Sequence, residues 1–302
     1  MKPVIPKYLK ENSKIIIISP AGAVNKDFVD FSYKFLTSLG YNVELSKSCI
    51  NKHFQFGGTD EERLIDLQTA LDNPTIDAIL CSRGGYGLIR IIDKLDFSKF
   101  VETPKWIIGF SDITNLHIAI NKLGIATLHG QMTKAISQTT LSLSVTKMLQ
   151  VLKGEQIKYK IPSHSLNRNG IARGELIGGN LSIIYSLQAT KYEIDTDNKI
   201  LIIEDLNEYL YHIDRIMINL KLSGKLQKLK ALIIGQFSDM KDNATPFGKS
   251  VYEIIAEKVQ EYNYPLCFDF PVGHIDENMP LVLGANYELH IDNEQVLLTP
   301  FF

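Results

Sequence analysis

The chain predicts an α/β fold in two parts: a parallel sheet with crossover helices over the first half, then a smaller mixed α/β domain. Short apolar runs of strand length alternate with helical stretches from Ile15 to Leu123, the rhythm of parallel strands joined by helices. The rhythm breaks between about Thr140 and Ser165, where a polar helix, Gly154, Lys158-Tyr159-Lys160 and Pro162-Ser163-His164-Ser165 offer little that belongs in a core. The expected division is a first domain at residues 1–150, a linker at 151–168 and a second domain at 169–302.

Taken in order, Ile15 to Ser19 reads as a strand, Asp27 to Leu39 as a helix, Tyr41 to Leu45 as a strand and Glu61 to Leu71 as a helix. Ala78 to Cys81 reads as a strand, Tyr86 to Leu95 as a helix, Trp106 to Gly109 as a strand and Asp112 to Leu123 as a helix. In the second half the strands are Lys199 to Ile203, Ala231 to Gly235, Leu266 to Phe268, Tyr287 to Ile291 and Gln295 to Thr299. A turn at Asp292-Asn293 joins the last two as a hairpin. Ligands of open parallel sheets collect at the carboxyl ends of the strands. Three loops follow such ends and are expected to be neighbours: Ser19-Pro20-Ala21-Gly22, Ser82-Arg83-Gly84-Gly85-Tyr86-Gly87, and the segment at Ser111.

Composition narrows the function classes. With 302 residues, 45% hydrophobic and 22% charged, the chain can bury two cores and is not a disordered polypeptide. A net charge of -2 without a Lys/Arg cluster provides no field for nucleic acid or an anionic membrane. No signal-type or membrane-spanning apolar run is present, so a cytoplasmic location is expected. Cys49, Cys81 and Cys267 have no metal-type spacing and read as reduced thiols.

Ser111 carries the chemistry. It stands between the apolar run Trp106 to Phe110 and the helical pattern from Asp112, with Gly109 two residues before it. A hydroxyl on such a strand-to-helix elbow is exposed beside free helix N–H groups, and Asp112 N–H can serve a developing oxyanion. Ile113 departs from the small residue that nucleophile elbows carry two positions on, and a helix N-cap is the competing reading of Ser111. Of seven histidines, His274 after Phe270-Pro271-Val272-Gly273 and His129 in Leu128-His129-Gly130-Gln131 both suit a base, while His117 lies on the helix after the serine. Glu204 and Asp205 end the apolar strand from Ile200 and can orient an imidazole, Asp205 also being a cap for the helix expected at Asn207 to Leu220. The glycine loop is either an oxyanion donor or a tight turn. Glu208, His212 and Arg215 share one helical face, which suggests a salt-linked surface in which Arg215 pairs Glu208 or Asp214.

Seven segments in one order resemble the LD-carboxypeptidases of bacterial murein recycling, a serine peptidase family that also contains the microcin C self-immunity peptidases. They are Ser19-Pro20-Ala21-Gly22, Arg83-Gly84-Gly85-Tyr86-Gly87, Gly109-Phe110-Ser111-Asp112, His129-Gly130-Gln131, Gly178-Gly179-Asn180-Leu181, Glu204-Asp205 with Tyr211 and Ile213-Asp214-Arg215, and Gly273-His274 with Asn278 and Pro280-Leu281. The resemblance implies a flavodoxin-like first domain and a smaller β-rich second domain, in a homodimer. It implies a triad of Ser111, Glu204 and His274, oxyanion donors at the Gly85 and Asp112 amides, substrate contacts at Arg83, Gly84 and Tyr86, and neither metal nor other cofactor. The implied reaction removes the terminal D-alanine from a murein tetrapeptide, with Arg83 either meeting its carboxylate or tying the loop to the fold. A microcin-immunity peptidase, which acts on a peptidyl-nucleotide, is the alternative. Those members stack a nucleobase on an aromatic residue of an added loop, whereas here the one tryptophan, Trp106, lies within a strand and the region from Gln156 to Arg173 is short. A non-catalytic peptide-binding protein is a third reading, disfavoured by the presence of all three triad types and no leader.

Overall fold

The computed structural model of the chain describes residues 3–138 and 142–302; Met1, Lys2 and Thr140, where the change of pattern begins, lie outside them. In chain order the first elements are β1 (Lys14–Ile18), α1 (Lys26–Ser38), β2 (Asn42–Leu45), α2 (Asp60–Asp72), β3 (Ala78–Cys81), α3 (Ser98–Glu102) and β4 (Trp106–Gly109). Then come α4 (Thr114–Asn121), β5 (Thr127–His129), α5 (Thr133–Gln138), α6 (Leu143–Leu152), β6 (Tyr159–Pro162), β7 (Gly170–Asn180), α7 (Leu181–Ser186), β8 (Ile200–Leu206) and α8 (Leu210–Leu222). The chain closes with β9 (Ala231–Ser238), α9 (Val251–Lys258), β10 (Leu266–Cys267), β11 (Leu281–Leu283), β12 (Asn286–Ile291) and β13 (Gln295–Pro300).

Two compact units result, one of Met1–Glu155 with Met279–Leu283 and one of Gln156–Asn278 with Gly284–Phe302. The first is built on a sheet of strand order β11-β5-β4-β3-β1-β2 among the described residues. Its strands run parallel except β11, which returns antiparallel along β5. Every residue of β3 and β4 is buried, as expected of central strands covered on both faces. Helix α2 starts at a capping box in which Thr59 and Glu62 each accept the other's backbone N–H.

The second unit has the order β10-β9-β8-β7-β12-β13-β6. β7 is the hinge of its pattern. From Gly170 to Glu175 it pairs antiparallel with β12, and from Leu176 to Asn180 it pairs parallel with β8. The same register sets Asn180 beside Glu204. The sheet's parallel part is buried throughout Ile200–Ile203 and Ala231–Ile234, and Tyr159–Pro162 forms its edge strand β6.

Three helix expectations need correction. Tyr86 to Leu95 is not an α-helix but two 3-10 turns, Leu88–Arg90 and Ile92–Lys94. Gly87 precedes them at φ 147°, and the Leu88 N–H donates to the Asp112 carboxylate, so the first turn tightens to i→i−3 bonding. The helix expected from Asn207 begins only at Leu210, because Asn207 adopts φ 60° and its N–H prolongs the β8–β9 pairing by donating to Ser238 O. The expected Asp112–Leu123 helix is likewise a 3-10 turn at Ser111–Ile113 followed by α4.

Gly178 shows how tightly β7 and β8 are set: with φ 127°, a Cβ there would lie 1.9 Å from Ile202 O. Gly178→Ala should lower unfolding free energy by about 3 kcal/mol, read from the midpoint of urea denaturation; an unchanged midpoint would contradict this packing.

Candidate active site

Ser111 is a point of backbone strain at the strand ends of the first unit. Its φ is 65°, a left-handed conformation that costs a non-glycine residue about 1–2 kcal/mol. Its side chain caps no helix, since neither the 3-10 turn nor α4 has a side-chain cap bond, so the N-cap reading does not hold. Several contacts hold the elbow. A Cβ on Gly109 would lie 2.9 Å from Ile113 Cγ1, so only glycine lets the strand turn against the new helix. Asn115 Nδ2 donates to the Asp112 carbonyl and carboxylate. His117 is buried, with Nε2 at 2.9 Å from Gly109 O and Nδ1 at 2.9 Å from Thr127 Oγ1. Burial pushes its pKa down to about 4, so His117 is a neutral brace for the elbow and not a base.

The glycine loop is fitted against this elbow. A Cβ on Gly84 would stand 2.9 Å from Ser111 Cβ and 3.1 Å from Asp112 N. Gly85 has φ 88°, and the loop is bound to the one after β1 by Gly22 N–H donating to Gly84 O at 2.9 Å. Arg83 Nη1 donates to Ala23 O at 2.7 Å, so Arg83 does tie the two loops, and Tyr86 stands about half exposed. Asp112 is buried with its carboxylate accepting Leu88 N–H at 2.8 Å; burial pushes its pKa up to about 6.

No sequence pattern points to Arg63, which is fully buried and donates through Nη1 to Pro20 O at 2.7 Å and Gly87 O at 3.0 Å. It joins the loop after β1 to the end of the glycine loop, with Asp60 as counter-ion at 2.5 Å. In sequence it is one charged residue among many on α2; only its burial distinguishes it. His129 ends β5 buried with its ring 5.6 Å from that of Phe110. Cys81 is fully buried and burial pushes its thiol up, the opposite of an activated nucleophile.

In the second unit, His274 Nδ1 lies 2.8 Å from Glu204 Oε2, and Glu204 is completely buried. Two glycines make room for that carboxylate: a Cβ would lie 3.3 Å from Glu204 Cβ at Gly235 and 3.1 Å from it at Gly273. The turn before His274 is fixed by Gly273 N–H donating to Asn278 Oδ1 at 2.9 Å, and by Ser238 Oγ donating to His274 O. Burial alone would lower the His274 pKa, but the hydrogen bond and charge of Glu204, with Asp205 beyond, outweigh it and raise the value. Raised in the folded chain, this pKa stabilises the fold fully below the unfolded value of about 6.5, and that contribution is lost as pH rises through the folded value.

Asp205 does not cap α8. It accepts from Asn180 Nδ2 at 2.9 Å, Ser182 N–H at 2.8 Å and Ser182 Oγ at 2.6 Å, so it anchors the start of α7 beside Glu204. Glu208 bonds His212 and Ser182, while Arg215 stacks over Tyr211 and Asp214 pairs Lys258, which replaces the expected Arg215 pairings.

Comparison with known families matches residues 15–130 to the LD-carboxypeptidase N-terminal domain and residues 173–289 to the LD-carboxypeptidase C-terminal domain. The chain belongs to the LD-carboxypeptidase family. It is 33% identical to a probable murein peptide carboxypeptidase of Bacillus subtilis (strain 168), covering 93% of this chain and 89% of that one. The solved muramoyltetrapeptide carboxypeptidase from Oxalobacter formigenes matches with a TM-score of 0.88 at 28% identity, covering 96% of this chain and 99% of that one. The microcin C7 self-immunity protein MccF matches in fold, with a TM-score of 0.87 at 23% identity and 99% of each chain covered. The α/β architecture of the chain is that of its solved relatives. Among the described residues no helix is long and apolar enough to cross a membrane.

The His274–Glu204 pair can be tested without turnover. Histidine resonances followed by NMR should place the His274 pKa above 6.5 in the intact protein and lower in Glu204→Gln, where burial is opposed by Asp205 without the Glu204 charge. An identical titration in both would show that the pair does not form.

Proposed function

We propose that the protein is a serine LD-carboxypeptidase that releases the terminal D-alanine of a murein tetrapeptide, as a cytoplasmic homodimer in cell-wall recycling. The observation that carries the reading is Ser111 at φ 65°, a strained hydroxyl with a glycine loop packed on it, in a family of peptidases. The relatives named for murein peptides supply the substrate class.

In this reading Ser111 Oγ attacks the carbonyl of the residue before D-alanine, and His274 takes its proton through Nε2, since Nδ1 faces Glu204. Glu204 holds the ring in that tautomer and stabilises the imidazolium. The amides of Gly85 and Asp112 receive the oxyanion, a role suited to groups already fixed before reaction. His274 then returns the proton to the leaving amine, and water, activated by the same ring, releases the acyl group. Arg83, Gly84 and Tyr86 contact the substrate. Trp106 is fully buried with Nε1 donating to Lys7 O, so its ring is not available to a nucleobase, and the peptidyl-nucleotide alternative gains nothing from it.

Ser111→Ala should lower kcat by about 10⁴- to 10⁶-fold with an unchanged circular dichroism spectrum, and His274→Ala should be costlier than Glu204→Gln. D-alanine release from a disaccharide-free tetrapeptide, followed by mass spectrometry, reads both; normal rates in Ser111→Ala would refute the nucleophile. The raised His274 pKa also has a kinetic sign. The base must be neutral, so kcat/KM should fall as pH drops through a value above about 6.5, and Glu204→Gln should move that limb lower.

A further inference from the structure

A cavity of about 430 Å³ lies within the first unit, lined by the loop after β1, the turn around Phe54 and the glycine loop at Arg83, Gly85 and Tyr86. That is the size of pockets that hold small ligands, about 300–1,000 Å³, and more than one alanine methyl needs. Its charge is one-sided. Lys52 and Arg83 line it, and none of its lining residues is Asp or Glu. Asp60, the first residue of α2, is already held by Arg63 and Arg90. Arg83 uses Nη1 on Ala23 O, which leaves further N–H donors of its fork.

Its aromatic members are displayed rather than buried. Phe54 is 82% exposed and Tyr86 47%. Phe54 also adopts φ 54°, an outlier for a bulky residue, inside a turn closed by His53 N–H to Phe56 O and Phe56 N–H to His53 O. Phe54 meets the His53 ring edge-on at 4.8 Å between centroids yet stays largely in water on a strained backbone, and strain of this kind concentrates where ligands are clamped.

We propose that this cavity is a carboxylate-binding subsite, in which Lys52 and Arg83 take the charge while Phe54 and Tyr86 cover the apolar stem that carries it. The proposal rests on the LD-carboxypeptidase reading above and adds Lys52 and Phe54, which that reading does not use. Two carboxylates on the residues that flank the scissile bond of a murein-type peptide have this chemistry: the α-carboxylate of the terminal residue, and a side-chain carboxylate on the residue before the bond.

Kinetics on three tetrapeptides distinguish them: the diaminopimelate peptide, its C-terminal amide, and its side-chain amide. On the first, Lys52→Ala should raise KM about tenfold with little change in kcat, Phe54→Ala should act in the same direction, and Lys52→Arg should restore KM. The penalty should vanish on whichever amide lacks the carboxylate that Lys52 reads, which names the source. A KM within about twofold of wild type for Lys52→Ala and Phe54→Ala on all three peptides would overturn the subsite while leaving the peptidase intact. Calorimetric titration of Ser111→Ala with the same peptides separates the two claims. Binding that weakens with Lys52→Ala but without cleavage by the wild type keeps the subsite and refutes the peptidase, and absence of both binding and cleavage refutes both.

Discussion

The left-handed backbone of Ser111 is the constraint on which the first unit's strand ends depend. A residue with a side chain remains at φ 65° only if its surroundings leave no lower-energy path, and here they come from four places. Gly109 allows the close turn, Gly84 seals the outer side, Asp112 takes the Leu88 amide, and His117 braces the strand carbonyl. Arg63 then links the far ends of two loops by their carbonyls, so the glycine loop has no independent freedom. A cost of about 1–2 kcal/mol at one residue is thus offset by packing spread over a whole sheet end.

The second unit solves a different problem, a buried negative charge. Glu204 has no exposure, and a carboxylate buried there without a partner would carry an uncompensated desolvation cost. Gly235 and Gly273 admit it, His274 pairs it, and Asp205 beside it is satisfied separately by Asn180 and Ser182. Because these two acids have different partners, their roles separate. Glu204 sets the imidazole, and Asp205 sets the start of α7.

Much of this is legible from residues alone, and the failures have physical causes. The strands at Ile15, Ala78, Trp106 and Ile200 are visible because buried parallel strands are unbroken apolar runs. Ser111 is visible through Gly109 and the change of period after it. The stretch after Gly87 misleads because its apolar spacing suits a helix, while a long-range bond between the Asp112 carboxylate and the Leu88 amide decides otherwise. Asp205 resembles a cap of the next helix because a helical pattern begins just beyond it. Its partner, Ser182, lies in an earlier segment brought alongside by the β7–β8 register, which no local pattern reveals. Arg63 and Phe54 carry no pattern, because burial of a cation and exposure of an aromatic are facts of tertiary structure. The choice among histidines comes from the family resemblance, and the Glu204 contact of His274 supports it on separate grounds.

The most direct test of the account is covalent capture of the strained hydroxyl. Incubation of the protein with a fluorophosphonate, followed by peptide mass spectrometry, should place one adduct on Ser111, with labelling abolished in Ser111→Ala and slowed in His274→Ala. A wild-type protein that takes no adduct at Ser111, or a Ser111→Ala variant that labels as fast as wild type, would contradict it.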